Sequence, residues 1–285
     1  MPYAVDPAHD VLGLACWQGR PSLMTRAHRH DDIEINYAVE CSLDYILGGR
    51  RMTVAPGEMV AFWAAIPHQL TGAAPASCVR WLTVPLDMFL GWRMPQRVLR
   101  ALLQGQVLAA SATARRETDI ALFHQWAADL TSGDDELRRI AVLEMEARLR
   151  RLATAVPHAY SSGPARGGSA SVEHAARMAD FIARNFREPL SVERIAAVVP
   201  MHPHYAMAVF KKVMGATLTS YLNQCRIAEA QRLLITTDMP VSDITGASGF
   251  GSQSRFYASF TQACGAPPGE YRRTRRQLCR AQPEN

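Results

Sequence analysis

Two kinds of hydrophobic pattern divide the chain. Between about residues 33 and 86, short apolar or alternating runs are separated by glycine and proline turns; they are IEINYAV, LDYIL, MVAFWAAI and VRWLTVPL. This pattern predicts antiparallel strands joined by hairpins in a small barrel or sandwich. From residue 95 to 156, and again from 172 onward, apolar residues recur every three to four positions, which predicts helices.

The segment 134–154 predicts an amphipathic helix, with acidic residues at its start where the helix dipole favours them. Its predicted apolar face consists of Leu137, Ile140, Ala141, Met145, Leu149 and Leu152. A face of this kind needs a partner surface. Two partners remain open: the β structure of the same chain, and the same helix in a second subunit.

A segment rich in glycine, serine and proline separates the two helical regions. Residues 157–171 read PHAYSSGPARGGSAS, a composition typical of a flexible tether. The chain of 285 residues is about twice the size of a common domain. We therefore predict an α+β protein with a sensing and dimerisation domain at 1–156, a linker at 157–171 and an all-α domain at 172–285.

Composition and charge narrow the class of protein. Hydrophobic residues make up 48% and charged residues 20%, which argues against a disordered or fibrous chain. Residues 1–171 carry 17 basic and 17 acidic side chains, whereas 172–285 carry 14 and 9, so the net charge of +5 lies in the second region. This asymmetry favours a polyanionic partner for that region.

The six cysteines are scattered, without a C-x-x-C pair, and we predict reduced thiols in apolar sites. No apolar run is long enough for a membrane span and the N-terminus lacks a signal-peptide pattern, so we expect a cytoplasmic protein without a membrane partner.

The second region contains an internal repeat. Val192 and Ile195 recur 49 positions later as Val241 and Ile244. After one inserted residue, Phe210, Gly215, Ala216 and Tyr221 recur 50 positions later as Phe260, Gly265, Ala266 and Tyr271. Each copy predicts a short helix, a turn and a second helix ended by glycine, which is the layout of a helix-turn-helix. Two such units can place their second helices in successive major grooves of DNA.

The segments FKKVMGATLTSYLNQCRIAEAQRLL and DITGASGFGSQSRFYASFTQACGAPPGEYRR resemble the AraC/XylS family of bacterial transcription regulators. The resemblance implies double-stranded DNA and RNA polymerase as partners. It assigns DNA contacts to two sets of residues: His204, Tyr205, Met207, Ala208, Lys211 and Lys212 in the first copy, and Gln253, Ser254, Arg255 and Ala258 in the second.

These side chains differ in what they can read. Arg255 and Gln253 can bond guanine or adenine edges with two hydrogen bonds. Met207 and Ala208 suit thymine methyl groups. Lys211 and Lys212 fit either a phosphate contact or a solvated helix end.

The first region carries the spacing H-x-H-x3-E. His28, His30 and Glu34 share one face if they lie in a strand, and His68 can complete a set of three nitrogens and one oxygen. This resembles the cupin pattern, a small β-barrel. A divalent metal is one interpretation; the other, which we adopt, is that these side chains bind an effector without a metal.

The segments HRHDDIEINY, APGEMVAFWAAIPHQLTG and VPLDMFLGW extend the resemblance to a subgroup of carbohydrate-responsive activators. We therefore expect a small sugar as effector. Trp63 and Trp81 are candidate surfaces for stacking a sugar ring, although core packing is the alternative for each.

The leading hypothesis is a homodimeric, sequence-specific transcription regulator, most simply an activator, with no catalytic residue and no cofactor. The alternative is a metal-dependent cupin enzyme fused to a DNA-binding module. A cysteine-based alkyl acceptor is a weaker possibility, because no cysteine lies in a metal-like cluster.

Overall fold

The structure, a computed structural model, describes residues 13–74, 78–154 and 170–280. Its first part contains eight strands: β1 (Ala15–Gly19), β2 (Asp32–Ala38), β3 (Leu43–Leu47), β4 (Arg50–Val54), β5 (Glu58–Trp63), β6 (His68–Ala73), β7 (Val79–Pro85) and β8 (Leu108–Ser111). Four helices accompany them: α1 (Leu86–Gly91), α2 (Gln96–Leu103), α3 (Arg116–Thr131) and α4 (Asp135–Leu152).

The strands form two antiparallel sheets, in the orders β1-β7-β2-β5-β8 and β4-β3-β6. The four runs predicted from the sequence are β2, β3, β5 and β7, which are the inner strands of the two sheets. The strands that the pattern did not predict, β1, β4, β6 and β8, are all edge strands. Inner strands are buried on both faces and therefore give longer apolar runs.

The alternation along β2 separates two cores. Ile33, Ile35 and Tyr37 pack outward in one apolar cluster with residues of α3 and α4. Ala38 packs in a second cluster with Tyr45 and the apolar residues between the two sheets. Because successive strand residues point to opposite faces, Glu34 and Asn36 share the side of Ala38. The polar residues of β2 therefore lie between the sheets.

Helix α4 packs against the β structure of its own chain. Ala141, Met145, Leu149 and Leu152 are buried in the cluster that contains Trp126 of α3, as the predicted face requires. Ile140 departs from that prediction, because 41% of its surface is exposed, and 59% of Leu143 is exposed as well. The helix thus has a second apolar face directed away from the core.

The second part is entirely helical, with α5 (Ala170–Asn185), α6 (Val192–Ala196), α7 (Pro203–Met214), α8 (Leu218–Thr236), α9 (Val241–Ala247), α10 (Gln253–Cys264) and α11 (Pro268–Arg280). The predicted linker lies outside the described residues, except that α5 already begins at Ala170. Within the described ranges, no helix combines the length and apolar character that a bilayer span requires.

The internal repeat is confirmed in three dimensions. Helices α7 and α10 have the same length and are 50 positions apart, and each ends at a glycine in the left-handed conformation, Gly215 (φ 66°) and Gly265 (φ 72°). Phe210 meets Tyr221 edge to face at 5.5 Å and 84°, and Phe260 meets Tyr271 at 5.3 Å and 86°. The same aromatic lock therefore holds both helix-turn-helix units.

Candidate functional site

Four of the predicted effector residues meet between the sheets. His28, His30, Glu34 and His68 each offer one ligand atom, and these atoms all lie within 4.8 Å of one another. The backbones of His28 and His68 form two mutual hydrogen bonds of 3.0 Å, which join the segment before β2 to the start of β6. The last three residues of the cluster are buried. The strand parity predicted from H-x-H-x3-E therefore holds.

Neighbouring polar groups orient this cluster. Asn36 Nδ2 donates to Glu34 Oε1 at 3.0 Å, so the other carboxylate oxygen, Oε2, faces the histidines. His30 lies with Nδ1 2.7 Å from Asp32 Oδ2 and with Nε2 3.2 Å from Glu34 Oε2. Although burial opposes its charge, these hydrogen bonds raise the pKa of His30 to about 9. Burial lowers the pKa of His28 to about 3, which leaves a neutral imidazole.

The donor set fits a divalent metal. His68 Nδ1 lies 3.0 Å from the carbonyl oxygen of Ile66, which only accepts, so Nδ1 is the donor of this hydrogen bond. The second ring nitrogen, Nε2, lies 3.2 Å from Glu34 Oε2 in a buried site, so both atoms point to the centre of the cluster. Three imidazoles and one carboxylate suit zinc or a similar ion, and the Asp32 carboxylate behind His30 is a common supporting group.

The two predicted tryptophans lie elsewhere. Trp63 is opposite Ile33 in the register of β2 and β5, so it belongs to the outer cluster with the helices, away from Glu34. Trp81 is half-buried and hydrogen-bonds the Tyr45 hydroxyl, which also accepts from Asn36 Nδ2 at 3.1 Å. Trp81 therefore reaches the cluster only through Tyr45 and Asn36. That these six residues bind the effector stays a prediction.

The predicted DNA-contacting residues are all on the surface. All ten are exposed; eight lie on the first two turns of α7 and α10, and Lys211 and Lys212 lie on the last turn of α7. The anchors Ala206 and Phe256 point the other way and are fully buried. Each second helix thus presents a free face of the kind that enters a major groove.

One residue of this surface was missed by the sequence reasoning. Tyr257 is 37% exposed on α10, between Arg255 and Ala258. The offset of 50 places Tyr257 opposite Met207, which was predicted, so the repeat itself contained the signal. We add Tyr257 to the candidate DNA-contacting residues.

Two of the contacts between the helix-turn-helix units and the β structure involve the segment that precedes β2. At the first, the end of α7 leaves carbonyl groups without helical partners. Ala27 N donates to Met214 O at 2.7 Å, and Gln69 Nε2 donates to Val213 O at 2.8 Å. Gly215 permits this approach, because a Cβ there would overlap the Arg26 side chain. The β domain therefore caps the first recognition helix.

The second contact is a relay of hydrogen bonds that leaves the β domain and returns to it. Arg29 Nη2 donates to Gln231 Oε1 at 3.4 Å, Gln231 Nε2 donates to the Tyr271 hydroxyl at 3.0 Å, and that hydroxyl donates to Asp31 Oδ2 at 3.0 Å. Arg275 adds an ion pair to Asp31 at 3.3 Å. Burial raises the pKa of Asp31, and the positive charge of the Arg275 guanidinium offsets part of this increase. The relay ties α8 and α11 to the segment that carries His28 and His30.

Comparisons with known proteins agree with this architecture. A helix-turn-helix domain family matches residues 195–274 and a cupin domain family matches residues 20–85. The melibiose operon regulatory protein of Escherichia coli K12 is 27% identical over 263 residues, which are 90% of this chain and 86% of that protein. The lactose operon transcription activator of Staphylococcus xylosus is 32% identical over 101 residues, 35% of each chain.

Among solved structures, one similar chain is the DNA-binding domain of AdpA, the global transcriptional factor, in complex with a target DNA. It is 28% identical to this chain. The match covers 38% of this chain and 98% of that domain, with a TM-score of 0.34.

The cupin match covers the strands that carry the histidine cluster, and the helix-turn-helix match covers both copies of the repeat with the helix between them. A relative with a regulatory name aligns along nearly the whole chain. The chain therefore combines a cupin domain with an AraC-type helix-turn-helix domain, and this domain order is that of a DNA-binding transcription regulator.

Proposed function

We propose that this regulator answers to a small carbohydrate in the cytoplasm, and that the ligand acts by changing how the DNA-binding domain docks on the cupin domain. In this proposal, residues 1–156 form the sensing and dimerisation domain and residues 172–285 form the DNA-binding domain. Residues 157–171 connect the two. Two relatives named for sugar operons, melibiose and lactose, support a carbohydrate effector.

The observation that carries the proposal is the alternation of side chains along residues 27–31. His28 and His30 belong to the buried cluster, whereas Ala27, Arg29 and Asp31 contact the DNA-binding domain. Neighbouring residues of an extended segment point to opposite sides, so a shift of one set moves the other. Ala27 meets the first helix-turn-helix unit, and Arg29 and Asp31 meet the helices around the second. One short segment therefore touches the cluster and both units.

A ligand changes this equilibrium only by binding one arrangement better than the other. Loss of the relay at Asp31 would weaken the attachment of α11, which Arg275 also holds through a 3.0 Å ion pair with Asp87. Loss of the bond from Ala27 would weaken the attachment of the end of α7. The docked and released forms would consequently differ in the DNA sites that they fit.

The second apolar face of α4 supports a homodimer. Ile140 and Leu143 are three residues apart, so they lie next to each other on the helix surface, and both are large exposed apolar side chains. The same helix of a second subunit offers a complementary surface. A dimer would place four recognition helices on two half-sites, in reach of RNA polymerase at a promoter.

A footprinting titration on the DNA upstream of the protein's own operon tests this function. We expect protected half-sites at moderate salt and a change in affinity or footprint when melibiose or lactose is added. Binding that does not distinguish this DNA from a random sequence of the same length would contradict the proposal.

The histidine cluster also favours a second candidate function, a metal-dependent cupin enzyme fused to the DNA-binding module. The two functions differ in what the metal does. If DNA binding and its response to sugar persist in a His68→Ala variant that no longer binds metal, regulation does not require the metal. A metal-dependent turnover of substrate would instead favour the enzyme.

A further inference from the structure

A cavity of about 440 Å³ lies between the two domains. The cupin domain contributes the β3–β4 turn, the loop before β6 and the end of α2, and the DNA-binding domain contributes the end of α5 and the middle of α8. Its volume falls in the range of about 300–1,000 Å³ that small-molecule sites occupy.

The histidine cluster cannot offer such space to an organic effector. Its ligand atoms lie within 4.8 Å of one another, and His30, Glu34 and His68 are 8%, 4% and 0% exposed. These dimensions suit a single ion. A sugar ring would have to displace the side chains that hold the cluster together.

The cavity combines planar polar groups with aromatic rings. Gln104 lies on the cupin side, and Glu229 and Arg232 lie on α8. Arg232 binds the Glu229 carboxylate through two hydrogen bonds of 2.7 and 2.8 Å, and Arg187 adds a third at 2.6 Å. Charged groups fixed in this way can present donors and acceptors to hydroxyl groups without further loss of side-chain entropy.

Trp63 contributes an aromatic ring beside the cavity. Its side chain is fully buried, lies on the outer face of β5 and contributes to the cavity wall. Its Nε1–H has no hydrogen-bond acceptor among the residues that the structure describes. Phe186 of the DNA-binding domain also lines the cavity.

We propose that this cavity is the effector site, and that it takes a small polyhydroxylated ligand of mono- or disaccharide size. The inference rests on the proposed function, in which the effector is a carbohydrate. Because the walls belong to both domains, a ligand that fills the cavity binds the docked arrangement better than the released one. The cavity therefore couples the ligand to docking directly.

Calorimetric binding of melibiose, lactose and galactose to the full chain and to three variants tests the site. Gln104→Leu removes an exposed amide, and Ala183→Leu places a larger side chain in the cavity wall. Arg184→Leu is the control, because Arg184 is on the same helix and pairs with Asp180 without lining the cavity. Melting curves establish that each variant is folded.

We expect the control to bind like the wild type, Gln104→Leu to bind about 2- to 10-fold more weakly and Ala183→Leu about tenfold or more weakly. If a sugar binds the wild type and both cavity variants equally, the effector lies elsewhere and this inference is wrong while the proposed function stands. If none of the three sugars binds the wild type, the carbohydrate effector itself is wrong, and the inference falls with it.

Discussion

The Tyr271 hydroxyl donates a 3.0 Å hydrogen bond to Asp31 Oδ2, across 240 positions of sequence. Asp31 lies between His30 of the buried cluster and the first residue of β2, and Tyr271 lies on the last helix of the DNA-binding domain. In the first copy of the repeat the equivalent hydroxyl, of Tyr221, has no hydrogen-bond partner in the described part of the chain. The two copies share a fold, but only the second uses its tyrosine to bind the cupin domain.

Replacing Tyr271 with phenylalanine removes this hydroxyl and keeps the ring that packs on Phe260. We expect a loss of about 1–3 kcal/mol in the free energy of unfolding, because Asp31 and Gln231 each lose a buried partner. Urea denaturation measures the change. Tyr257→Phe is the control, since Tyr257 is exposed. An equal loss of stability in the two variants would mean that the Tyr271 hydroxyl does not contribute to docking.

Metal binding should depend on the histidine cluster. Zinc at 100 times its dissociation constant should stabilise the protein by about 2.7 kcal/mol, seen as a higher melting temperature. His68→Ala should abolish most of this shift, whereas His124→Ala, at an exposed position of α3, should retain it. A shift that survives His68→Ala would mean that zinc binds at other groups.

Arg255→Ala should weaken binding to the specific site by about 1–3 kcal/mol and relax the preference at one base pair, if Arg255 reads a base edge. Competition binding with single-base operator variants measures both effects. Thr261→Ala, at an exposed position six residues further along α10, serves as the control. Equal loss on specific and random DNA would make Arg255 a phosphate contact instead.

A charge on the second apolar face of α4 should dissociate the proposed dimer. Leu143→Asp buries a carboxylate at the interface, and we expect sedimentation at micromolar concentration to change from dimer to monomer. Arg138→Asp, an exposed position on the far side of the helix, should leave the dimer intact. A wild-type protein that sediments as a monomer would rule out this interface.

The sequence predicted those parts of the molecule whose patterns are local. His28, His30 and Glu34 are close in the chain, so strand parity was enough to bring them together. The inner strands gave continuous apolar runs, but edge strands such as β4, with the sequence RRMTV, did not. Trp63 was grouped with the cluster because the sequence does not show its register, which places it opposite Ile33 on the outer face.

Docking could not be predicted in the same way. The relay joins Arg29 and Asp31 to Gln231 and Tyr271, residues about 200 positions apart that carry no shared periodicity. The exposed faces of α7 and α10 were predictable, because the repeat fixes which residues anchor each helix. Which buried faces pair between domains depends on shape and charge that only the folded chain reveals.

The central claim is that the ligand acts through docking, and the coupling between sugar and DNA tests it most directly. The measurement is the ratio of operator dissociation constants with and without saturating melibiose, for the wild type, Asp31→Asn and the exposed control Glu117→Gln. Coupling of this kind is typically about 5- to 150-fold. We predict a ratio in that range for the wild type and the control, and a clearly smaller ratio for Asp31→Asn, because this variant weakens docking. A ratio in Asp31→Asn equal to that of the wild type would contradict the account.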